Sequence, residues 1–381
     1  MATSMRKIKV IHILTDTNIG GAGTLLINYL RCFDREKYDI SVCLPEGAAL
    51  TPKVEEVGYR VIPLKHGHDK SFDMAGLSEY RKIFKAEKPD IVHTHSAFSA
   101  KLAAFLSGVK SRIYTRHCTF EMPRKLTTFP GKQINGFINN TLATEIVAVA
   151  DSAKDNLTET GISEKKITVI VNGVLPLREV TPDEVEAKKR ELGINNGDFV
   201  CGIAARLEHY KGHSYLLDTV AELKADHPNV KVLIMGRGSE EENLKAKAME
   251  LGIEENVIFT GFITDLAPYY HVMDLGLNCS YGTEATSMAL GEGMSLSIPA
   301  VVTSFGGNPY MVEDDVNGYL VPIKDPHAMA VAIARIMDDD ALRTKLGVGA
   351  RRMFEERFTA EAMTRKLEAI YDAEAKRIKV K

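Results

Sequence analysis

One pattern constrains this chain more than any other. A short apolar, β-branched run is followed by a polar or glycine-bearing turn and then by a stretch with apolar residues three and four apart, and the unit repeats along most of the length. Strand candidates in the first half are Lys9 to Leu14, Ile40 to Leu44, Ile91 to His95, Arg112 to His117, Glu145 to Ala150 and Ile167 to Val171. Between them Thr24 to Phe33, Leu77 to Glu87 and Ala97 to Leu106 have one-sided helical spacing. Such alternation predicts an α/β fold, a parallel sheet covered by helices.

The cadence breaks after Asn172-Gly173, at Leu175-Pro176-Leu177, and restarts at Thr181-Pro182-Asp183-Glu184. There Thr caps a helix, Pro takes the first helical position and Glu completes a capping box. Strands are then expected at Phe199 to Ala204, Val230 to Met235, Val257 to Thr260, Leu275 to Cys279, Ala300 to Thr303 and Tyr319 to Val321. Two Rossmann-like domains follow, 1–174 and 175–360. From Asp325 onward the pattern is helical, with Ala328, Val331, Ala332 and Ile336 on one face and a second apolar set from Leu367 to Tyr371. That tail packs or bridges and carries no chemistry.

A chain of 381 residues, 45% hydrophobic and 26% charged, can bury two cores and is neither disordered nor collagen-like. Its net charge of −3 hides a polarity: residues 1–175 hold 24 Lys/Arg against 18 Asp/Glu, the remainder 24 against 33. Residues 101–132 contribute strongly, with Lys101, Lys110, Arg112, Arg116, Arg124, Lys125 and Lys132 opposed only by Glu121, and with Phe120, Met122, Leu126, Phe129 and Phe137 interleaved or adjacent. Taken alone, that excess admits nucleic acid, membrane or phosphate. Five cysteines without C-x-x-C spacing predict mostly buried thiols in a reducing cytoplasm. Arg6, Lys7 and Lys9 precede too few apolar residues for a signal peptide, and no run approaches the roughly 20 residues of a membrane span.

Ligands of open parallel sheets collect where strands end and helices begin, because helix N-termini favour anions. Three such loops stand out. Asn18-Ile19-Gly20-Gly21-Ala22-Gly23 follows the first strand, and its glycines permit close approach of backbone N–H groups to a phosphate or sugar. G-x-G-x-x-G would need glycine at Leu26, which disfavours NAD; a tight turn without ligand is the competing explanation. Ala205 to Gly212 places Arg206 and Lys211 at a helix mouth, suiting a diphosphate, although solvated basic residues would look the same. Glu284 and Glu292 lie eight positions apart, about 2.2 helical turns, so both carboxylates could face one ligand. The free N–H groups near Ser287, Met288 and Ala289 could accept phosphate between them. As a lone pair, two glutamates at this spacing also fit a solvated helix.

Occurring in order on the expected loops, these elements resemble the retaining glycosyltransferases of family 4, also described as glycosyl transferases group 1, of GT-B fold. The likeness rests on Gly20-Gly21, Arg206 to Gly212, and Glu284 to Glu292 followed by Ile298-Pro299. It extends to Gly236-Arg237-Gly238, Phe259-Thr260-Gly261, Gly306-Gly307-Asn308-Pro309 and Asn317-Gly318-Tyr319-Leu320. The resemblance implies two Rossmann-like domains facing across a cleft. Residues 1–174 would bind the acceptor, 175–360 the nucleotide-sugar donor, and a helix over 361–381 would pack back on the first domain.

By the same resemblance Arg206 and Lys211 hold the diphosphate and stabilise the leaving group, Glu292 holds the ribose, and Glu284 lies over the donor sugar. Backbone N–H groups near Met288 and Ala289 meet phosphate, the loop at Gly261-Phe262 borders the base, and His117 stands near the sugar in the first domain. His93 and His95, at another strand end, are equally compatible with packing and with function.

Glycosyl transfer develops positive charge at the anomeric carbon and negative charge on the departing diphosphate, so catalysis needs fixed cations at the latter. Arg206 and Lys211 can supply them without metal, and the only D-x-D, in Asp338-Asp339-Asp340, falls between helices of the tail. No metal and no cofactor beyond the co-substrate are expected. The family likeness implies retention by same-face attack, without a dedicated protein nucleophile. Glu284-Ala285-Thr286-Ser287 and Pro309-Tyr310 depart from the common Glu-Gly-Phe-Gly and Pro-Glu, so the donor stays open: a UDP-sugar first, GDP-mannose second.

The expected function is therefore transfer of a sugar to a saccharide or lipid-linked acceptor in polysaccharide or glycolipid synthesis. Rivals are a UDP-sugar epimerase of the same architecture and a non-catalytic sugar-nucleotide-binding subunit. Within that frame Arg116, Arg124 and Lys125 mark an acceptor side or a peripheral contact of a cytoplasmic protein with anionic membrane, equally readable as a solvated basic surface. Nucleic acid is not an expected partner.

Overall fold

The computed structural model describes residues 6–95, 97–119 and 122–380. Phe120 and Glu121, singled out in the basic stretch, lie outside the described residues. The chain forms two compact units: Met1–Gly173 joined by Ala360–Lys381, and Val174–Thr359.

In the first unit the strands are Ile8–Leu14 (β1), Tyr38–Pro45 (β2), Arg60–Leu64 (β3), Ile91–His95 (β4), Ser111–Arg116 (β5), Glu145–Ala148 (β6) and Ile167–Val169 (β7). All pairs are parallel, in the order β3-β2-β1-β4-β5-β6-β7. The expected strands all form, with ends shifted by a residue or two. β3 was not expected, and the reason is physical: it carries Pro63, buries only Leu64 and lies at the sheet edge, where a missing N–H is tolerated.

The second unit has Phe199–Ala204 (β8), Val230–Met235 (β9), Val257–Gly261 (β10), Leu275–Asn278 (β11), Ala300–Thr303 (β12) and Gly318–Val321 (β13), parallel in the order β10-β9-β8-β11-β12-β13. Its first helix, Pro182–Leu192, starts at the anticipated capping box: Thr181 Oγ1 accepts from Glu184 N and Glu184 Oε2 accepts from Thr181 N, at 3.3 and 3.0 Å. Strand direction of growth reverses between β1 and β4 in one sheet and between β8 and β11 in the other, and loops at such switch points open crevices for ligands.

Packing fixes these loops. The helix His213–Leu223 buries Leu216, Leu217 and Val220 against Cys201 and Ile203 of β8, each such burial contributing about 1.5–3 kcal/mol. The helical tail divides: Pro326–Met337 and Asp340–Met353 belong to the second unit, while Ala360–Arg377 packs on the first. There Met363, Leu367 and Tyr371 are buried, Asp372 accepts from the Tyr38 hydroxyl at 2.7 Å, and Glu374 accepts from the Thr144 hydroxyl at 2.8 Å.

Candidate active site

The switch point of the second sheet gathers side chains from loops far apart in sequence. The loop after β8 turns at Gly212, whose φ of +78° suits glycine and where a Cβ would come within 2.0 Å of the Cys279 carbonyl oxygen. This close approach sets Lys211 beside the loop that follows β11. Lys211 Nζ donates to Glu284 Oε2 at 2.9 Å and to the Thr283 carbonyl at 3.1 Å. Two of the ammonium's three hydrogens are thereby engaged and one remains.

Glu284 is buried, and its Oε2 also accepts from Asn278 Nδ2 at 3.0 Å and from the Ser280 hydroxyl at 2.9 Å. Three donors converging on one oxygen hold the side chain in place. Asn278 and Ser280 carry no motif signal of their own; only their position, at the end of a strand entering the Glu284 loop, hints at this work. Gly306-Gly307, after β12, closes the set: Gly307 N donates to the Glu284 carbonyl at 3.2 Å.

Arg206 lies on the same loop as Lys211 but is exposed, and its guanidinium makes no hydrogen bond among the described residues. It is a cation available to a ligand. Gly236 N donates to the Gly261 carbonyl at 2.8 Å and Leu207 N to the Arg237 carbonyl at 3.0 Å, so the loops after β9 and β10 are tied to the one carrying Arg206. Phe262 projects into solvent, 64% exposed.

Ser287 caps the helix Met288–Ser295, its hydroxyl accepting from Leu290 N, which leaves the N–H groups of Met288 and Ala289 heading the helix. Glu292, one turn along, has no hydrogen bond to its carboxyl among the described residues, and burial pushes it up to about 7.

The first unit has a different chemistry. Gly20 and Gly21 are exposed at the mouth of the helix Gly21–Cys32, with no capping side chain. At Gly20 a Cβ would meet nothing and φ is −108°, so the fold itself does not require glycine there.

Strand register places His12 beside His93 and His95 beside Thr115, on one face because side chains alternate along each strand. His117, expected to close β5, stands just beyond it and is partly buried. A continuous hydrogen-bonded chain runs Thr115 Oγ1 to His93 Nε2 (2.6 Å), His93 Nδ1 to Tyr371 Oη (2.6 Å), Tyr371 Oη to His12 Nε2 (3.0 Å), His12 Nδ1 to His95 Nε2 (3.0 Å) and His95 Nδ1 to His117 Nε2 (2.7 Å). The four imidazoles are neutral. Burial lowers His12 to about 3 and His93 and His95 well below their usual value; burial and then nearby Arg116 lower His117 to about 4. One ring nitrogen from each of His12, His93 and His95 lies within 4.8 Å of the others, and all six ring nitrogens of the three share a hydrogen bond.

The basic stretch is not one surface. Lys101 is buried, its ammonium 4.0 Å from the centre of the Tyr114 ring and donating to Asn139 Oδ1 at 3.0 Å. It lines a cavity of about 380 Å³ with Arg116, Asn135 and Asn156. Arg112 donates to the carbonyls of Leu142, Val109 and Thr141, and Arg116 Nε donates to the Cys118 carbonyl at 3.1 Å. Arg124 and Lys125 are exposed, on the short helix Arg124–Thr127. In the D-x-D segment Asp339 caps a helix, accepting from Leu342 N at 2.9 Å, and Asp340 pairs with Arg343 at 2.8 Å. No described helix is long and apolar enough to cross a membrane.

Comparison with known proteins places both units. Residues 184–353 match the family described as glycosyl transferases group 1, and residues 19–176 the one described as glycosyltransferase family 4. The chain is 25% identical over 355 residues to the Escherichia coli UDP-Gal:alpha-D-GlcNAc-diphosphoundecaprenol alpha-1,3-galactosyltransferase, covering 90% of this chain and 91% of the relative. It is 23% identical over 381 residues to the capsular polysaccharide biosynthesis glycosyltransferase CapM of Staphylococcus aureus, covering 97% and 98%. Among solved structures, Anabaena HepE in complex with UDP and glucose superposes with a TM-score of 0.82 at 20% identity, covering 96% of this chain and 99% of HepE. A glycosyltransferase from Rickettsia africae superposes at 0.83 and 21% identity, covering 97% and 99%. Both sheets, their switch-point loops and the two adjoining matches lead to one assignment: the chain belongs to the family 4 glycosyltransferases of GT-B fold.

Proposed function

We propose that this protein transfers a sugar from a nucleotide diphosphate sugar, a UDP-sugar before GDP-mannose, to a saccharide or lipid-linked acceptor, with retention and without a metal. The observation that carries the reading is the Lys211–Glu284 pair at the switch point of the second sheet, with the unengaged Arg206 on the same loop. Two fixed cations are what a departing diphosphate requires. The relatives add support: one uses UDP-Gal, one serves capsular polysaccharide synthesis, and HepE was solved with UDP and with UDP-glucose. Polysaccharide or glycolipid synthesis is the process this reading assigns.

In the proposed mechanism Arg206 and the remaining N–H of Lys211 neutralise charge growing on the diphosphate, aided by the N–H groups of Met288 and Ala289. The glycosidic C–O bond breaks toward the phosphate, the acceptor oxygen attacks the same face, and its proton passes to the leaving phosphate oxygen. Glu284 holds Lys211 and lies over the sugar. Glu292 takes the ribose hydroxyls, Gly261 and Phe262 border the base, and Gly20 and Gly21 admit the donor closely. His117 meets the sugar from the first unit, which binds the acceptor. Arg116, Arg124 and Lys125 are assigned to the acceptor or to anionic lipid headgroups at the inner face of the membrane, with the protein in the cytoplasm.

Incubating the purified protein with UDP-sugars and GDP-mannose, in EDTA and without acceptor, tests the reading. Slow release of free nucleoside diphosphate from one donor is expected. Sugar interconversion without nucleotide release, or release only on adding a divalent metal, would overturn it.

A further inference from the structure

The chain of four imidazoles in the first unit has a direction that can be assigned. Thr115 is buried, and among the described residues its hydroxyl has one hydrogen-bond partner, His93 Nε2. If the hydroxyl only accepted, its own proton would be buried without an acceptor, at a cost of about 1–3 kcal/mol. The hydroxyl therefore donates. His93 Nε2 is then the bare nitrogen and Nδ1–H donates to the Tyr371 oxygen. The Tyr371 hydroxyl donates to His12 Nε2, His12 Nδ1–H to His95 Nε2, and His95 Nδ1–H to His117 Nε2. A neutral imidazole has one donor and one acceptor, so each link forces the next. The remaining proton sits on His117 Nδ1, which makes no hydrogen bond among the described residues.

We propose that Thr115, His93, Tyr371, His12 and His95 are positioning residues that lock His117 as the neutral Nδ1–H tautomer and aim a hydrogen-bond donor at an oxygen of the ligand. The chain spans β1, β4, β5 and the C-terminal helix, so residues distant in sequence fix one proton. Its ligand atom must accept, as a hydroxyl, ring or phosphate oxygen does. The inference rests on the reading of His117 as a ligand-facing residue, yet the tautomer is legible in the ligand-free protein.

Long-range proton–nitrogen NMR correlation on the full chain labelled with 15N-histidine reads each tautomer directly. His117 is expected with Nδ1 protonated and Nε2 bare, although free imidazole side chains favour the opposite. Thr115→Val keeps the side-chain shape, removes the proton that sets the direction and should shift His117 from a single Nδ1–H form to a mixture of tautomers. Thr115→Ser should restore the single form. Tyr371→Phe, which keeps the ring, should leave His117 mixed. If donor turnover is observed, Thr115→Val should lower kcat about tenfold and Thr115→Ser should recover it. The proposal is overturned if wild-type His117 is protonated on Nε2 or on both nitrogens, or if Thr115→Val unfolds nothing and leaves the tautomer unchanged. These readouts are independent of whether any nucleotide sugar is turned over.

Discussion

In the proposed site, Glu292 is the group that would couple protonation to ligand most directly. Its carboxyl, raised to about 7 by burial, is about half protonated at pH 7, and hydroxyl donors from a ribose would favour the carboxylate. Nucleotide binding at pH 7 should therefore release about half a proton from this residue, a release that Glu292→Gln abolishes. Titration calorimetry in buffers of different ionisation heat measures it as the difference between the two proteins, which cancels the nucleotide's own protons; identical release would contradict the assignment. Motif spacing singled out Glu284, Glu292, Arg206 and Lys211, because charged residues at fixed spacings leave a pattern. Asn278 and Ser280 left none: their importance comes from a shared acceptor, which exists only once β11 and its loop have folded. The same holds for His12, His93 and His95, which in sequence are alternate strand residues and in three dimensions a single hydrogen-bonded row.

At the scale of elements, two glycines on loops of the proposed site are separated by what the fold demands of them. A Cβ at Gly307 would lie 1.4 Å from the Ala285 carbonyl oxygen, so Gly307→Ala must displace the loop carrying Glu284. A loss of about 2 kcal/mol or more in denaturant stability is expected. Gly20→Ala meets nothing and should change stability by less than about 0.5 kcal/mol while weakening donor binding, since the proposed site puts the donor in that space. Denaturation midpoints alongside nucleotide affinity check both; equal stability losses would contradict the distinction. Strand and helix identities were legible here because parallel strands buried on both faces read as continuous apolar runs. β3 was not, since a proline-bearing edge strand needs neither that run nor every ladder bond.

Over the whole molecule, the charge polarity of the sequence resolves into unlike local uses. In the first unit Lys101 is buried against an aromatic ring and Arg112 satisfies carbonyls, so composition overstated the free positive surface. The first unit gathers most of the acid-sensitive histidines, with His213 of the second unit also lowered to about 4 by burial. The first unit's three buried imidazoles and the partly buried His117 are neutral when folded and regain the ordinary value near 6.5 when unfolded, so the unfolded chain binds more protons below that pH. Stability is full above about pH 6.5 and falls as pH drops toward 4, by up to about 1.4 kcal/mol per pH unit for each imidazole. Urea unfolding followed by circular dichroism should show a lower midpoint at pH 5.5 than at 7.5; an unchanged midpoint would contradict the buried neutral row. The second unit carries the central claim, that Lys211 held by Glu284 drives departure of a diphosphate. The most direct test is nucleotide release and transfer by Lys211→Ala and Glu284→Ala, with circular dichroism as the control for folding. Both variants should stay folded and lose at least about a hundredfold in kcat, whereas full turnover in both would contradict the account.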